Sequence, residues 1–374
     1  GKLEDYLQTE WPELDVYLTS VTDHFATATI GGPKSKKILN KLIYISGSPR
    51  GGSTIFFDLF SKHDSLYKIP GMTHFYSNIV RHNKCLSTRL LRLVYKIPLW
   101  HDVELISNND KVFNYIESSL KKKNLKNLYQ GYVLSSSLYK GDYNNISKYK
   151  YWVDKANDWR GLFWVEKNFP SAIFIFTIRD PRSICYSIVG RQSPNKKDNL
   201  LKNKEMKSYI STAITLNHMY SRFIFFGLIN NRKSYFVCYE DLINNGKKLL
   251  NKLYINILGE SAGEDKVSDF IKTARGASSH SKESGRYQIE NGLNKSALCR
   301  WSDLDEDLIV TIEILNKSAM KYFSYRNSRA HTLPDYVRIY TNIGIKSFIT
   351  LVISKFYFSL SRILFIFKTI KIWH

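Results

Sequence analysis

The sequence predicts an α/β domain built on a mainly parallel sheet with helices on both faces, followed by a helical C-terminal tail. Three observations carry that reading. Apolar runs of strand length recur at 41–46, 172–178 and 234–239. A long helical pattern at 206–229 separates the second run from the third, and a Gly-rich turn joins the first to an amphipathic segment at 53–62. Strands that alternate with helices pair in parallel and become buried on both faces.

The chain of 374 residues, 43% hydrophobic, is long enough for one large domain or two ordinary ones. Its 55 Lys and Arg against 33 Asp and Glu leave a formal charge of +22, which favours anionic partners: nucleotides, nucleic acid, acidic glycans or anionic lipid. The abundance of Lys, Asn, Tyr, Phe and Ile fits an AT-rich genome and lowers the weight of that charge. Cys85, Cys185, Cys238 and Cys299 are far apart and form no Cys-x-x-Cys pair, so neither a disulfide scaffold nor a zinc ribbon is indicated. The first 40 residues contain no apolar run long enough for a signal peptide. The expectation is a reduced, cytoplasmic setting, peripheral at a membrane if the tail binds one; an anchor ahead of Gly1 is left open.

Three regions follow from composition. Residues 1–40 read as a polar N-terminal extension, one helix and then the linker Gly31-Gly32-Pro33-Lys34-Ser35-Lys36-Lys37. Residues 41–330 form the main domain, with a Lys-, Asn-, Tyr- and Ser-rich insertion at 75–150 that includes a helical stretch near 112–123. Residues 331–374 form a basic tail: no acid follows Asp335, whereas Arg338, Lys346, Lys355, Arg362, Lys368 and Lys371 do. Within it, Ile349, Ile353, Phe356, Leu360, Ile363, Phe367 and Ile370 recur at intervals of four and three, predicting an amphipathic helix over 345–372. Such a stripe lies on an anionic membrane surface, docks on the domain, or pairs with a second chain in a homodimer.

The turn after the first strand is Gly47-Ser48-Pro49-Arg50-Gly51-Gly52-Ser53-Thr54. Glycines let such a loop turn its N–H groups inward, and the following helix N-terminus favours a bound anion. Gly47 and Gly52 have the spacing of the ATP-binding pattern G-x-x-x-x-G-K-[ST], but Ser53 stands where that pattern needs lysine and the cation has moved to Arg50. The loop resembles the phosphosulfate loop of sulfotransferases that use 3′-phosphoadenosine-5′-phosphosulfate (PAPS). That resemblance implies a P-loop-like sulfotransferase fold and assigns Arg50, Gly51, Gly52, Ser53 and Thr54 to the 5′-phosphosulfate; Gly51 departs from the small hydroxyl usual at its position.

Further segments extend the resemblance over 42–325. Arg179-Asp180-Pro181-Arg182 followed by Ser187 is similar to the family's 3′-phosphate signature, which makes Arg179 and Ser187 ligands of that phosphate. Pro181 preceded by Asp180 is also a helix-start signal, and a bland reading leaves Asp180 and Arg182 as a cap with surface ion pairs. Lys155, in Trp152-Val153-Asp154-Lys155, holds the place of a family lysine that contacts the bridging or sulfuryl oxygens. Tyr239, after the third strand, is implied as an adenine-side contact, and Arg300, in Arg300-Trp301-Ser302-Asp303-Leu304, as a residue that closes over the nucleotide.

The reaction implied is in-line transfer of a sulfuryl group from PAPS to an acceptor hydroxyl, a glycan or glycolipid preferred over a protein tyrosine or small alcohol, without a metal. The 75–150 insertion is the expected seat of acceptor specificity. The glutamate that often serves as base is missing from Ile69-Pro70-Gly71-Met72-Thr73-His74-Phe75. His74 is the nearest titratable group and the first candidate, ahead of His63, Asp102 and Glu104. Two rivals remain: a P-loop kinase or NTPase, which needs the missing lysine and a magnesium carboxylate, and a noncatalytic module on the same fold that binds nucleotides or polyanions. No specific nucleic acid is expected.

Overall fold

The computed structural model describes residues 40–69, 75–78, 148–189, 199–273, 298–367 and 372–373, with single gaps inside the longer stretches and a few further positions between 80 and 137 and at 295. Among the described residues six strands form one mostly parallel sheet: β1 (Leu42–Gly47), β2 (Leu66–Lys68), β3 (Tyr151–Lys155), β4 (Ile173–Ile178), β5 (Ser234–Cys238) and β6 (Ile372–Trp373), in the spatial order β2-β3-β1-β4-β5-β6. The α/β class expected from sequence is the one observed. β1, β4 and β5 are the three apolar runs, and every residue of β1 and β5 is buried, as a strand covered on both faces requires.

The contacts divide the chain into two compact units. The first comprises Gly1–Ile45, Phe60–Phe174 and Tyr254–Ala262; the second comprises Ser46–Leu59, Ile175–Leu253 and Gly263–His374. In the first unit β3 pairs in parallel with both β1 and β2, with Tyr44 opposite Asp154 and Ile45 opposite Lys155. An aromatic core packs beside these strands: Phe75 stacks on Tyr129 at 4.4 Å between ring centroids, and Tyr129 meets Trp152 edge-on at 5.1 Å. Phe75 opens the short helix Phe75–Asn78, and Trp164 of the helix Leu162–Asn168 joins the same cluster.

The second unit is dominated by a 31-residue helix, Asn199–Ile229, which reaches seven residues further upstream than its apolar pattern predicts. Tyr209, Ile210, Ile214, Tyr220, Ser221, Phe223 and Phe226 are all buried on it, and at about 100° per residue they spread over more than one face. It packs against the helices Pro181–Val189, Glu306–Leu315 and Ile345–Phe367, so a single apolar stripe would not suffice. Phe223 also stacks on Phe176 of β4 at 4.9 Å. The tail helix ends at Phe367, short of the expected 372, and Ile372–Trp373 instead pair in parallel with Phe236 and Val237 of β5.

Candidate functional site

The loop after β1 turns sharply before the helix Ser53–Phe60. Gly51 N–H donates to the Ser48 carbonyl at 2.9 Å, and the Gly52 carbonyl accepts the first helical bond, from Phe56 at 3.0 Å. Gly52 has φ +84°, and a Cβ there would lie 2.3 Å from the Tyr239 ring; both the backbone and the close ring demand glycine. A Cβ at Gly51 would come within 2.5 Å of Ser48 Oγ, which accounts for a bare glycine where a hydroxyl was expected. Arg50 is left-handed at φ 65°, a conformation that costs a nonglycine residue roughly 1–2 kcal/mol and survives where the surroundings impose it.

The surroundings of Arg50 are the other sequence-selected residues. Its Nε donates to Ser187 Oγ at 3.1 Å, and its carbonyl accepts from an Nη of Arg179, also at 3.1 Å. The Arg179 guanidinium lies over the Tyr239 ring, 4.6 Å from its centroid. Burial pushes the Tyr239 phenol up from its ordinary range, while the nearby charges of Arg179, Arg300 and Arg50 oppose that shift. Two arginines, a serine hydroxyl and an aromatic ring therefore meet beside the first turn of a helix, an arrangement suited to a phosphorylated, planar ligand. Ser53 and Thr54 open that helix, Ser53 being buried.

Other residues hold this cluster in place. The Tyr220 hydroxyl donates to the Arg179 carbonyl at 2.6 Å and accepts from its N–H at 3.2 Å. The Asp180 N–H donates to Glu240, whose other oxygen accepts from Tyr325 at 2.8 Å. Burial raises the Glu240 carboxyl above its ordinary range against those hydrogen bonds.

Asp180 caps the helix Pro181–Val189 by accepting from Arg182 N–H at 2.9 Å, as predicted, but the ion pairs of Arg182 are not on the surface. Its guanidinium is buried between Asp180 at 2.6 Å and Glu313 at 2.7 Å, and stacks on Trp301 at 3.7 Å. Burial works against this charge, and the two carboxylates overcome it, holding the guanidinium above its ordinary range. Glu313 also accepts from Ser328 N–H and lies 2.8 Å from His331 Nε2. Ser183 Oγ donates to the Leu298 carbonyl at 3.0 Å, so the segment carrying Arg300 is seated on the same helix by Ser183 and Trp301.

Lys155 belongs to the first unit and closes β3. It is 1% exposed, and burial lowers its ammonium to about 7, with the Asp154 carboxylate acting in the opposite direction. Asp154 accepts from the Tyr129 hydroxyl and from Lys155 N–H. His74, Asp102 and Glu104 lie outside the described residues. His63 packs its ring 4.6 Å from Tyr254 and accepts from Ser65 N–H. Among the described residues no group of three or more His, Cys, Asp or Glu could hold a metal, and Cys185, Cys238 and Cys299 are free thiols.

The family model described as "Sulfotransferase family" matches residues 43–258, more than half of the chain. The chain belongs to the sulfotransferase family. Similar solved structures are the sulfotransferase domain from the Synechococcus PCC 7002 olefin synthase and the sulfotransferase domain from the curacin biosynthetic pathway. The first is 16% identical, covering 76% of this chain and 95% of that one with a TM-score of 0.44; the second is 16% identical, covering 76% and 98% with a TM-score of 0.47. A separate local similarity links 41 residues, 56% identical, to the sarcosine oxidase subunit alpha of Corynebacterium sp. strain P-1, and 40 residues, 58% identical, to that of strain U-96. The sulfotransferase spans only 4% of the length of those curated relatives. Membership of the family makes the chain an enzyme and implies PAPS as sulfuryl donor.

Proposed function

We propose that this enzyme transfers the sulfuryl group of PAPS to a hydroxyl of a glycan or glycolipid. The observation that carries the reading is the meeting of Arg50, Arg179 and Ser187, drawn from two motifs 129 to 137 residues apart. In the proposal Arg179 and Ser187 hold the 3′-phosphate, Arg50 and the loop from Gly51 to Thr54 hold the 5′-phosphosulfate, and Tyr239 and Arg300 bound the nucleotide. Arg50 touches Ser187 directly, so this arginine is assigned a part in both phosphate positions.

PAPS supplies an electrophilic sulfuryl group whose leaving group is a phosphate. The acceptor oxygen forms its bond to sulfur as the sulfur–phosphate oxygen bond breaks, and adenosine 3′,5′-bisphosphate departs. Arg50 and Lys155 are assigned to the charge that grows on the leaving phosphate, and His74 to the proton lost by the acceptor. A lysine whose ammonium titrates near neutrality gains positive charge when an anion is brought beside it, so donor binding is expected to take up a proton. The 75–150 segment is assigned to acceptor choice.

Radiolabelled PAPS offered with panels of glycans, glycolipids, tyrosine peptides and small alcohols tests the reading. Label should pass to a glycan or glycolipid, and unlabelled ATP should compete poorly. Tight PAPS binding with no transfer to any acceptor would favour a noncatalytic module instead. Equal affinity for ATP and PAPS would remove the donor assignment itself.

A further inference from the structure

The tail helix Ile345–Phe367 has two opposed faces. Leu351, Ser354, Phe358 and Ser361, spaced by three and four, are buried where the helix packs on the long helix Asn199–Ile229. Ser354 Oγ lies 3.2 Å from His218 Nδ1 in that contact. The apolar stripe is not the docking face. Ile345, Phe348, Ile349, Val352, Ile353 and Phe356 are 41–81% exposed, and at about 100° per residue they cover an arc of roughly 140° centred opposite the buried set.

We propose that this exposed face lies on an anionic lipid surface, with the helix in the plane of the interface. A contiguous patch of large apolar side chains in water marks an interaction site. The charge around it selects the occupant: Lys355 is exposed on the edge of the stripe, and the tail sequence carries six Lys and Arg with no acid after Asp335. An apolar face with a basic edge is the pattern of an interfacial helix, its cations meeting anionic headgroups. A second copy of the same face would bring those cations against one another, which disfavours self-association. No helix among the described residues is long and apolar enough to cross a membrane, so the contact is with the surface of the bilayer. This inference is independent of the donor and acceptor assignments above.

The test is flotation of the full chain with vesicles of phosphatidylcholine alone and of phosphatidylcholine mixed with phosphatidylserine, with sedimentation of the free protein alongside. The wild type should float with the phosphatidylserine vesicles, and binding should fall about tenfold on pure phosphatidylcholine or at high salt. Val352→Glu with Phe356→Glu should lower it about tenfold, and Lys355→Glu severalfold, both with unchanged melting temperature and unchanged nucleotide binding. A wild type that stays unbound to anionic vesicles at low salt overturns the proposal, as does a double variant that floats like the wild type. A wild-type dimer that the double variant converts to monomer would assign the face to a second copy instead.

Discussion

Arg179 and Arg182 are three residues apart on one strand-to-helix turn, yet their surroundings differ in kind. Arg182 is buried between two carboxylates and under an indole ring. Arg179 reaches a backbone carbonyl and an aromatic ring in the company of Arg50 and Arg300. A guanidinium matched by buried carboxylates is committed to the fold. One that reaches the Arg50 carbonyl and the Tyr239 ring stands where the proposed 3′-phosphate site calls for a cation. In the proposed site one motif thus supplies an anchor and a recognition element, and the two are distinguishable by experiment.

The largest effect is expected on the anchor. Arg182→Ala leaves Asp180 and Glu313 buried without their cation and should cost about 3–5 kcal/mol of stability, read from denaturant midpoints, whereas Arg179→Ala, which removes a bond to a carbonyl and a ring contact, should cost less. Equal losses would break the comparison. His74→Ala should lower turnover by about 10²–10⁴ at nearly unchanged PAPS affinity, separating proton transfer from both arginines; full activity would remove His74 from the mechanism, and a parallel loss of PAPS binding would make it structural.

Lys155 sharpens the contrast with a third environment, a buried cation relieved in part by losing its proton. Its folded value of about 7 lies below its ordinary 10.5, so in that window the unfolded chain binds the extra proton and stability rises with pH. The cost of burying the charge is complete below pH 7 and vanishes as pH approaches 10.5. Relative to Lys155→Met, the wild type should therefore gain on the order of 2–4 kcal/mol between pH 7 and pH 10, measured by denaturation across that range. A pH-independent difference would mean that Lys155 keeps its charge, and undiminished turnover in Lys155→Met would end its assignment to the leaving phosphate.

What sequence disclosed and what it hid follow from the same physics. β1, β4 and β5 were legible because strands buried on both faces are unbroken apolar runs, and the site motifs stand at their ends. β3 was not read as a strand because two of its five residues, Asp154 and Lys155, are charged, and their burial depends on partners far along the chain. The three-residue β2 is too short to carry a pattern. Tyr220, which fixes both backbone groups of Arg179, is one aromatic among many on a long helix and carried no signal. Glu313 did carry one: a single acid inside Leu308-Ile309-Val310-Thr311-Ile312-Glu313-Ile314-Leu315 must be paired when the helix is buried. The tail's stripe was legible as a helix, but its period could not say which face docks. The docking face proved to be the one with two serines.

The most direct test of the recognition cluster compares adenosine 3′,5′-bisphosphate with adenosine 5′-monophosphate, which lacks only the 3′-phosphate. Calorimetry should give the wild type a preference for the bisphosphate of about tenfold or more, because a charge-assisted contact to a phosphate contributes on the order of 1.5–3 kcal/mol. In Arg179→Ala that preference should collapse toward unity while affinity for the monophosphate changes little. An unaltered preference in Arg179→Ala, or none in the wild type, would contradict the assignment of Arg50, Arg179 and Ser187 to the 3′-phosphate.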